Sequence, residues 1–333
     1  MFLAASLNEK RAGEFFQTLR PSDSDPTEIF VSWPKLTEEE KARVRLASSN
    51  KISQFRVLTP DDYPETLKRV PKVPQALFTH GDPDCLHRPT IGIVGTRRAT
   101  TQGKAIAQKF AEHLALAGFT IVSGGAFGID AAAHAGALAV GRPTACILPC
   151  GVDVAQPPRH ADLFKKIAET GCLVSQFACG MPSRNDTPLL RNAVIAGLSD
   201  AVLVVEAPLP SGSLNTATHA AHLNRPLYVV PGSISVENYR GSHQLIREGA
   251  TLVDHPGQII EDFNLPTMES PVETQAAPVQ AQILEMLDSE AIPLELISEE
   301  TGLAVHDLLS ELTMMEMDGL VVKHAGGYAR RIR

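Results

Sequence analysis

From Ile91 to Asp254 the sequence alternates short, wholly apolar runs with stretches of helical character, and this limits the chain to few architectures. The runs are IGIVG (91–95), FTIVSG (119–124), TACILP (144–149), CLVSQ (172–176), AVLVVE (201–206), PLYVVPG (226–232) and ATLVD (250–254). Between them lie GKAIAQKFAEHLALAG, GIDAAAHAGALAVG, RHADLFKKIAETG, SLNTATHAAHLN and SHQLIREG, several ending in a glycine that suits a left-handed C-cap. A strand wetted on one face alternates polar and apolar residues, so a run that is apolar throughout predicts burial on both faces. Such strands separated by helices predict a parallel sheet with helices on each side. The fold class is therefore α/β: a doubly wound, mostly parallel, Rossmann-like sheet. Ligands of such sheets lie beyond the carboxyl ends of the strands.

The flanks read differently. Residues 1–55 form a poorly defined, partly helical segment, with a helix expected over LTEEEKARVRLAS (36–48) and Thr37 as its N-cap. Residues 56–90 are punctuated by prolines and predict short elements and turns. The Rossmann-like body spans 56–264, and the Pro, Thr and Gln content of 265–280 predicts a linker. Within 281–333 the helical patterns VQAQILEMLDSE, PLELISEETG and AVHDLLSELTMMEMDG precede a hairpin around Gly326–Gly327. Three helices closed by a hairpin predict a winged-helix domain.

Composition enters through charge and cysteine. The formal net charge is −8, and the span Gln275–Val322 holds ten acidic residues and no Lys or Arg. The acidity thus belongs to the C-terminal module, which leaves the body nearly neutral and free to carry a local basic groove. No apolar run approaches the ~18 residues of a membrane span, so no membrane association is expected. MFLAASLNEK is too short in its apolar part for a secretory signal. Five cysteines form no CxxC pair and predict reduced thiols in a cytoplasm. No metal or cofactor is expected.

Four loops carry candidate chemistry. GTRRATTQGK (95–104) follows the first strand and offers backbone N–H groups, a helix start and arginines, with Gly95, Thr96, Arg97 and Gly103 as phosphate ligands. In SGGAFGID (123–130), Ser123, Gly124, Gly125 and Gly128 let the backbone come close to a ligand. Asp130 is read there as a helix cap, and His134 as a packed helix histidine. Arg184, Arg191 and Asn192 stand at the entrance of an apolar helix, where Arg191 serves equally as a structural ion-pair partner or as a phosphate ligand. Ser211, Gly212, Ser213 and Thr216 open a helix with hydroxyls and amides, as an anion site or simple N-cap does. Their common place at strand ends predicts one phosphate-rich crevice.

The ordered series IGIVGTRRAT, IVSGGAFGIDAAAHAGAL, LPCGVD, RNAVIAGLSDAVLVVEA, SGSLNTA, RPLYVVPG and GSHQLIREGA resembles the bacterial DNA-processing family DprA (Smf). YPETL (63–67) and PQALFTHGD (74–82) are similar to that family's lead-in to the sheet, and many members share the terminal winged helix. The resemblance covers about residues 56–255. It implies a protein that is not an enzyme, binds and protects single-stranded DNA as a homodimer, and loads a RecA-type recombinase during natural transformation. It also implies that Arg97, Arg184 and the Arg191–Asn192 pair contact phosphates. Three departures stand out. Phe127 occupies the arginine position of SGxARGID, Thr187 the Phe of FPxRNR, and Ala193 its final arginine. Phe127 thereby offers a stacking surface, while each lost single-strand phosphate contact lowers the salt slope by ~0.7.

Two rival functions follow from the same residues. The sheet type is similar to nucleotide-binding phosphoribohydrolases with a PGGxGTxxE loop. The corresponding SGSLNTATHA has Thr218 and His219 near the carboxylate position and lacks the acid–base group. A winged-helix regulator of duplex DNA would need a cationic recognition helix. This helix carries Asp307, Glu311, Glu316 and Asp318 instead, which predicts a protein contact. The cations Lys323, Arg330, Arg331 and Arg333 lie in or after the wing.

Overall fold

A computed structural model describes residues 55–71, 73–265, 278–287, 291–317, 320–324 and 326–331. The helix expected over 36–48 and most of the linker lie outside them. The apolar runs form seven parallel strands: β3 (Thr90–Val94), β4 (Thr120–Ser123), β5 (Thr144–Ile147), β6 (Cys172–Ser175), β7 (Ala201–Val204), β8 (Leu227–Val229) and β9 (Thr251–Leu252). Two further strands arise in the proline-punctuated segment, where only short elements and turns are predicted. β1 (Phe55–Leu58) and β2 (Leu77–Gly81) pair antiparallel, and β2 runs antiparallel to β6, extending one edge. The nine-stranded order is β1-β2-β6-β5-β4-β3-β7-β8-β9. After α1 (Glu65–Lys68), the major helices are α2 (Thr101–Leu116), α3 (Ile129–Ala139), α4 (Ala161–Thr170), α5 (Thr187–Leu198), α6 (Gly212–His222), α7 (Arg240–Arg247) and α8 (Pro256–Asp262).

The strands' two-residue period sorts their side chains into two cores. Val94, Val122, Val202, Val204 and Val229 face Val194, Ile195 and Leu198 of α5 and Ala217 and Ala220 of α6. Ile91, Ile93, Ile121, Leu203 and Val205 face Ala107, Phe110 and Leu114 of α2, Ile129 and Ala133 of α3, and Ile259 of α8. Both faces of β3 to β7 are therefore dry, which is why these runs contain no polar alternation, while β9 at the edge is exposed. Each fully buried aliphatic side chain contributes ~1.5–3 kcal/mol. The expected glycine caps hold at Gly141 (φ 64°) after α3, but Gly171 closes α4 at φ −144°, outside the left-handed region.

The strand order fixes where a ligand goes. β3 leads outward through β4, β5 and β6, after which the chain returns to place β7 on the other side of β3. The connections from β3 and β7 thus leave in opposite directions, opening a crevice at the carboxyl ends of these neighbours.

The chain divides into two compact units at residues 268 and 269. In the second, α9 (Pro278–Met286), α10 (Leu294–Thr301) and α11 (Val305–Met317) precede the antiparallel hairpin of β10 (Val321–His324) and β11 (Gly327–Arg330). Ile283, Ile297, Leu308, Leu312, Val321 and Tyr328 form its core. α9 begins at Pro278, inside the segment expected to be linker. The fold class is as the sequence predicts: a mostly parallel α/β sheet and a winged helix.

Candidate nucleic-acid interface

At the crevice between β3 and β7 lies a cleft of about 440 Å³. Four separated segments line it: Gly95, Thr96, Arg97 and Arg98 after β3; Ala126 and Asp130 after β4; Pro188, Leu189, Arg191 and Asn192 of α5; and Pro208 to Ser213, without Leu209, with Thr216 around the start of α6. α2, α3 and α6 begin at this edge of the sheet, and helix N-termini carry partial positive charge. Anions are favoured there.

Arg191 forms the floor. It is only 5 % exposed, and its Nη1 donates to the Ile147 carbonyl at 2.8 Å. Its Nε has no hydrogen-bond partner. Asp130 is buried in the same cleft and its carboxylate accepts from Ala126 N at 3.4 Å. Burial raises the Asp130 carboxyl above its ordinary value, against the pull of the Arg191 and Arg97 charges and of the Ala126 and Gly124 N–H groups. Arg191 is lowered by burial and supported by Asp130. Asp130 therefore offsets the floor arginine. It is not the cap expected from sequence, because the N-cap of α3 is Gly128 and no side chain caps it.

Arg97 and Arg98 are exposed on the opposite lip. Their loop is anchored by Glu206, a fully buried carboxylate just beyond β7. Its Oε2 accepts from Thr100 N at 3.0 Å and its Oε1 from Asn238 Nδ2 at 2.8 Å, while its backbone carbonyl accepts from Thr96 N at 2.7 Å. Asn238 also donates to the Arg98 carbonyl. Sequence reasoning missed Glu206, because a glutamate ending an apolar run reads as the strand's return to solvent. Asn192 Nδ2 donates to the Gly212 carbonyl and to Asn215 Oδ1, tying α5 to α6. Ser211 is the N-cap of α6, its Oγ accepting from Ser213 N.

Gly95, Thr96, Arg97, Arg191, Asn192, Ser211, Gly212, Ser213 and Thr216 are thus brought together in the cleft. The other candidates support it or lie beside it. Ser123 is fully buried, and its hydroxyl donates to the Ile93 carbonyl at 2.6 Å, inside the sheet. Gly124 leaves room for the Arg191 guanidinium, which a Cβ there would strike. Gly125 (φ 68°) packs on Cys146 and Phe164, and Gly128 (φ 81°) on the Thr96 and Arg97 backbone. Gly103 N donates to Thr100 Oγ1 and its open side takes the Glu206 carboxylate. Arg184 is outside the cleft lining and pairs with exposed Asp186 at 3.3 Å.

Thr187 requires a correction. It is buried, and its hydroxyl accepts from Arg184 N and donates to the Arg184 carbonyl, so it leaves no stacking position. Counted back from Arg191 without a gap, the Phe of FPxRNR falls on Pro188, which lines the cleft. Thr218 bonds the Leu214 carbonyl within its own helix. His134 is a packed histidine as expected, fully buried with Nδ1 2.7 Å from Thr144 Oγ1.

The sequence matches the family model described as DNA recombination-mediator protein A over residues 54–264, and that of the DprA winged helix domain over 267–327. Protein Smf of Synechocystis is 35 % identical over 82 % of this chain and 80 % of its own length. Protein Smf of Escherichia coli is 36 % identical over 80 % and 75 %. The crystal structure of DNA processing protein A from Streptococcus pneumoniae superposes with a TM-score of 0.63 at 28 % identity, covering 79 % of this chain and 93 % of that one. That of Helicobacter pylori, described for its single-stranded DNA binding mode, gives 0.58 at 30 % identity, covering 63 % and 96 %. A body and a winged helix that both match, in order and over most of the length, leave one assignment: the chain belongs to the DNA recombination-mediator protein A family, the DprA/Smf DNA-processing proteins.

Proposed function

We propose that this protein binds single-stranded DNA in the switch-point cleft and promotes its transfer to a RecA-type recombinase, acting as a homodimer in the cytoplasm. The observation that carries the reading is the cleft itself, where exposed Arg97 and Arg98 face buried Arg191 among three helix N-termini. Amides and guanidiniums are donors to phosphate, and they read no base edge, so binding is tight without sequence choice. At about 440 Å³ the cleft has the size of a small-ligand pocket, room for a nucleotide unit of one strand and none for a duplex. The Helicobacter pylori relative supports the choice of ligand. The family description supports the recombinase, while the dimer rests on the resemblance alone. The cleft works by binding, with no residue assigned a catalytic step.

The winged helix has a different part in this reading. Asp307 and Glu316 lie exposed on α11, and Val305 and Leu309 add an apolar stripe. A helix of this kind meets protein, since duplex phosphates repel it. The test is fluorescence anisotropy with a 5′-labelled dT oligonucleotide of ~50 nucleotides across a salt series, with duplex competitor. Strand-selective, salt-sensitive binding that the Arg97→Ala, Arg191→Ala double variant loses is the expected result. Binding that survives the double variant removes the cleft from the mechanism.

A further inference from the structure

Phe110, Phe119 and Phe164 are buried in the apolar clusters of the body, whereas Phe127 is 41 % exposed and stands outside the cluster around Phe164. Burying a phenyl ring is worth ~25 cal/mol per Å² removed from water, a gain this loop forgoes. The ring is nevertheless held. His160 meets it edge to face, with centroids 4.6 Å apart and planes at 69°. His160 is fixed in turn: its Nδ1–H donates to the Gly125 carbonyl at 2.9 Å, and its ring stands edge-on to Phe164 at 6.0 Å. Gly125 and Gly128 bracket the loop in left-handed backbone conformations, and Gly128 lies against the backbone of Thr96 and Arg97. Phe127 is therefore an open aromatic surface on a braced loop, beside the arginine lip but not part of the cleft lining. Arg159, next to His160 in the same turn, is also exposed.

A braced, solvent-facing aromatic beside cations is the arrangement by which single strands are held through their bases. We propose that Phe127, backed by His160, is a second contact station outside the cleft that takes one nucleobase by stacking while Arg97 and the cleft hold neighbouring phosphates. The inference rests on the reading that the cleft binds single-stranded DNA. It adds a base contact that tolerates any sequence, since every base has a π-face.

The experiment titrates the full chain with a labelled dT oligonucleotide over a salt series, using Phe127→Ala, Phe127→Trp and, as the ionic control, Arg97→Ala. Phe127→Ala binds about tenfold more weakly at every salt concentration, with the slope of log K against log salt unchanged, because stacking releases no counterions. Phe127→Trp keeps the parent affinity, and Arg97→Ala lowers the slope. Parent-like affinity in Phe127→Ala overturns the proposal. So does a slope that falls in Phe127→Ala as it does in Arg97→Ala, which would make Phe127 a support for the arginine loop. A Trp variant as weak as the Ala variant also overturns it. A parent chain that binds no oligonucleotide overturns the cleft reading and this proposal together, a result distinct from a parent and Phe127→Ala that bind equally.

Discussion

Two buried residues, His134 and Gly124, set measurable limits on the protein. Thr144 Oγ1 donates its one proton to the Ile121 carbonyl, so it accepts from His134, whose Nδ1 carries the hydrogen. Nε2 is then an unprotonated, unpartnered nitrogen in the core. Burial pushes the His134 pKa down to about 3, and the charges of Arg191 and His160 add to the effect. A depressed histidine is neutral in the fold and protonates first in the unfolded chain. Its contribution is present above pH ~6.5 and is lost as pH falls towards its folded value. Urea unfolding at pH 7 and pH 5 should therefore show a loss of about 2 kcal/mol from this residue, absent from the same comparison in His134→Gln. Gly124 gives a second prediction. Its open Cα face is occupied by the Arg191 guanidinium, so Gly124→Ala displaces the floor arginine and should weaken oligonucleotide binding about tenfold, the same loss expected of Arg191→Ala. Sequence marks the glycine, but a glycine that admits a ligand and one that admits a neighbouring side chain read alike.

At the scale of elements, the arginine lip depends on a strand it does not belong to. The loop between β3 and α2 is held to β7 by Glu206 and to the 237–239 turn by Asn238. Glu206→Ala removes the carboxylate acceptor of the half-buried Thr100 N–H and leaves Asn238 with only the Arg98 carbonyl, at a cost of ~1–3 kcal/mol. Glu206→Gln places an amide donor where one of the two must accept. Both variants should lower the denaturation midpoint and weaken DNA binding, with alanine the more severe; parent-like affinity in either would remove Glu206 from the support of the lip. The parallel strands β3 to β8 are legible in the sequence because burial leaves a continuous apolar signature, whereas Thr251 and Leu252 of β9 are exposed at the sheet edge. β1 and β2 are not legible, since four or five residues among Pro60, Pro64 and Pro74 acquire strand geometry only by pairing with each other and with β6. Glu206 and Asp130 escape for a related reason: the meaning of each lies in a neighbour from another element.

For the whole molecule, the two units allow function to be divided. The groups proposed to bind the strand all belong to the body, and the winged helix presents acidic residues on α11 with Lys323 and Arg330 on its hairpin. Removing residues 276–333 should leave oligonucleotide affinity within a few-fold of the parent by anisotropy; a loss of tenfold or more would assign the wing cations to DNA.

The pairing of β3 with β7 also orders events during synthesis. It joins residues 91–94 to 201–204, and the cleft needs residues up to Thr216. A ribosome has made Arg97 before it makes the wall that completes the cleft around that arginine. On the proposed function, the nascent chain thus carries Arg97 through about 120 further residues of synthesis before it can grip a strand, and affinity for nucleic acid arrives only with the closing of the sheet.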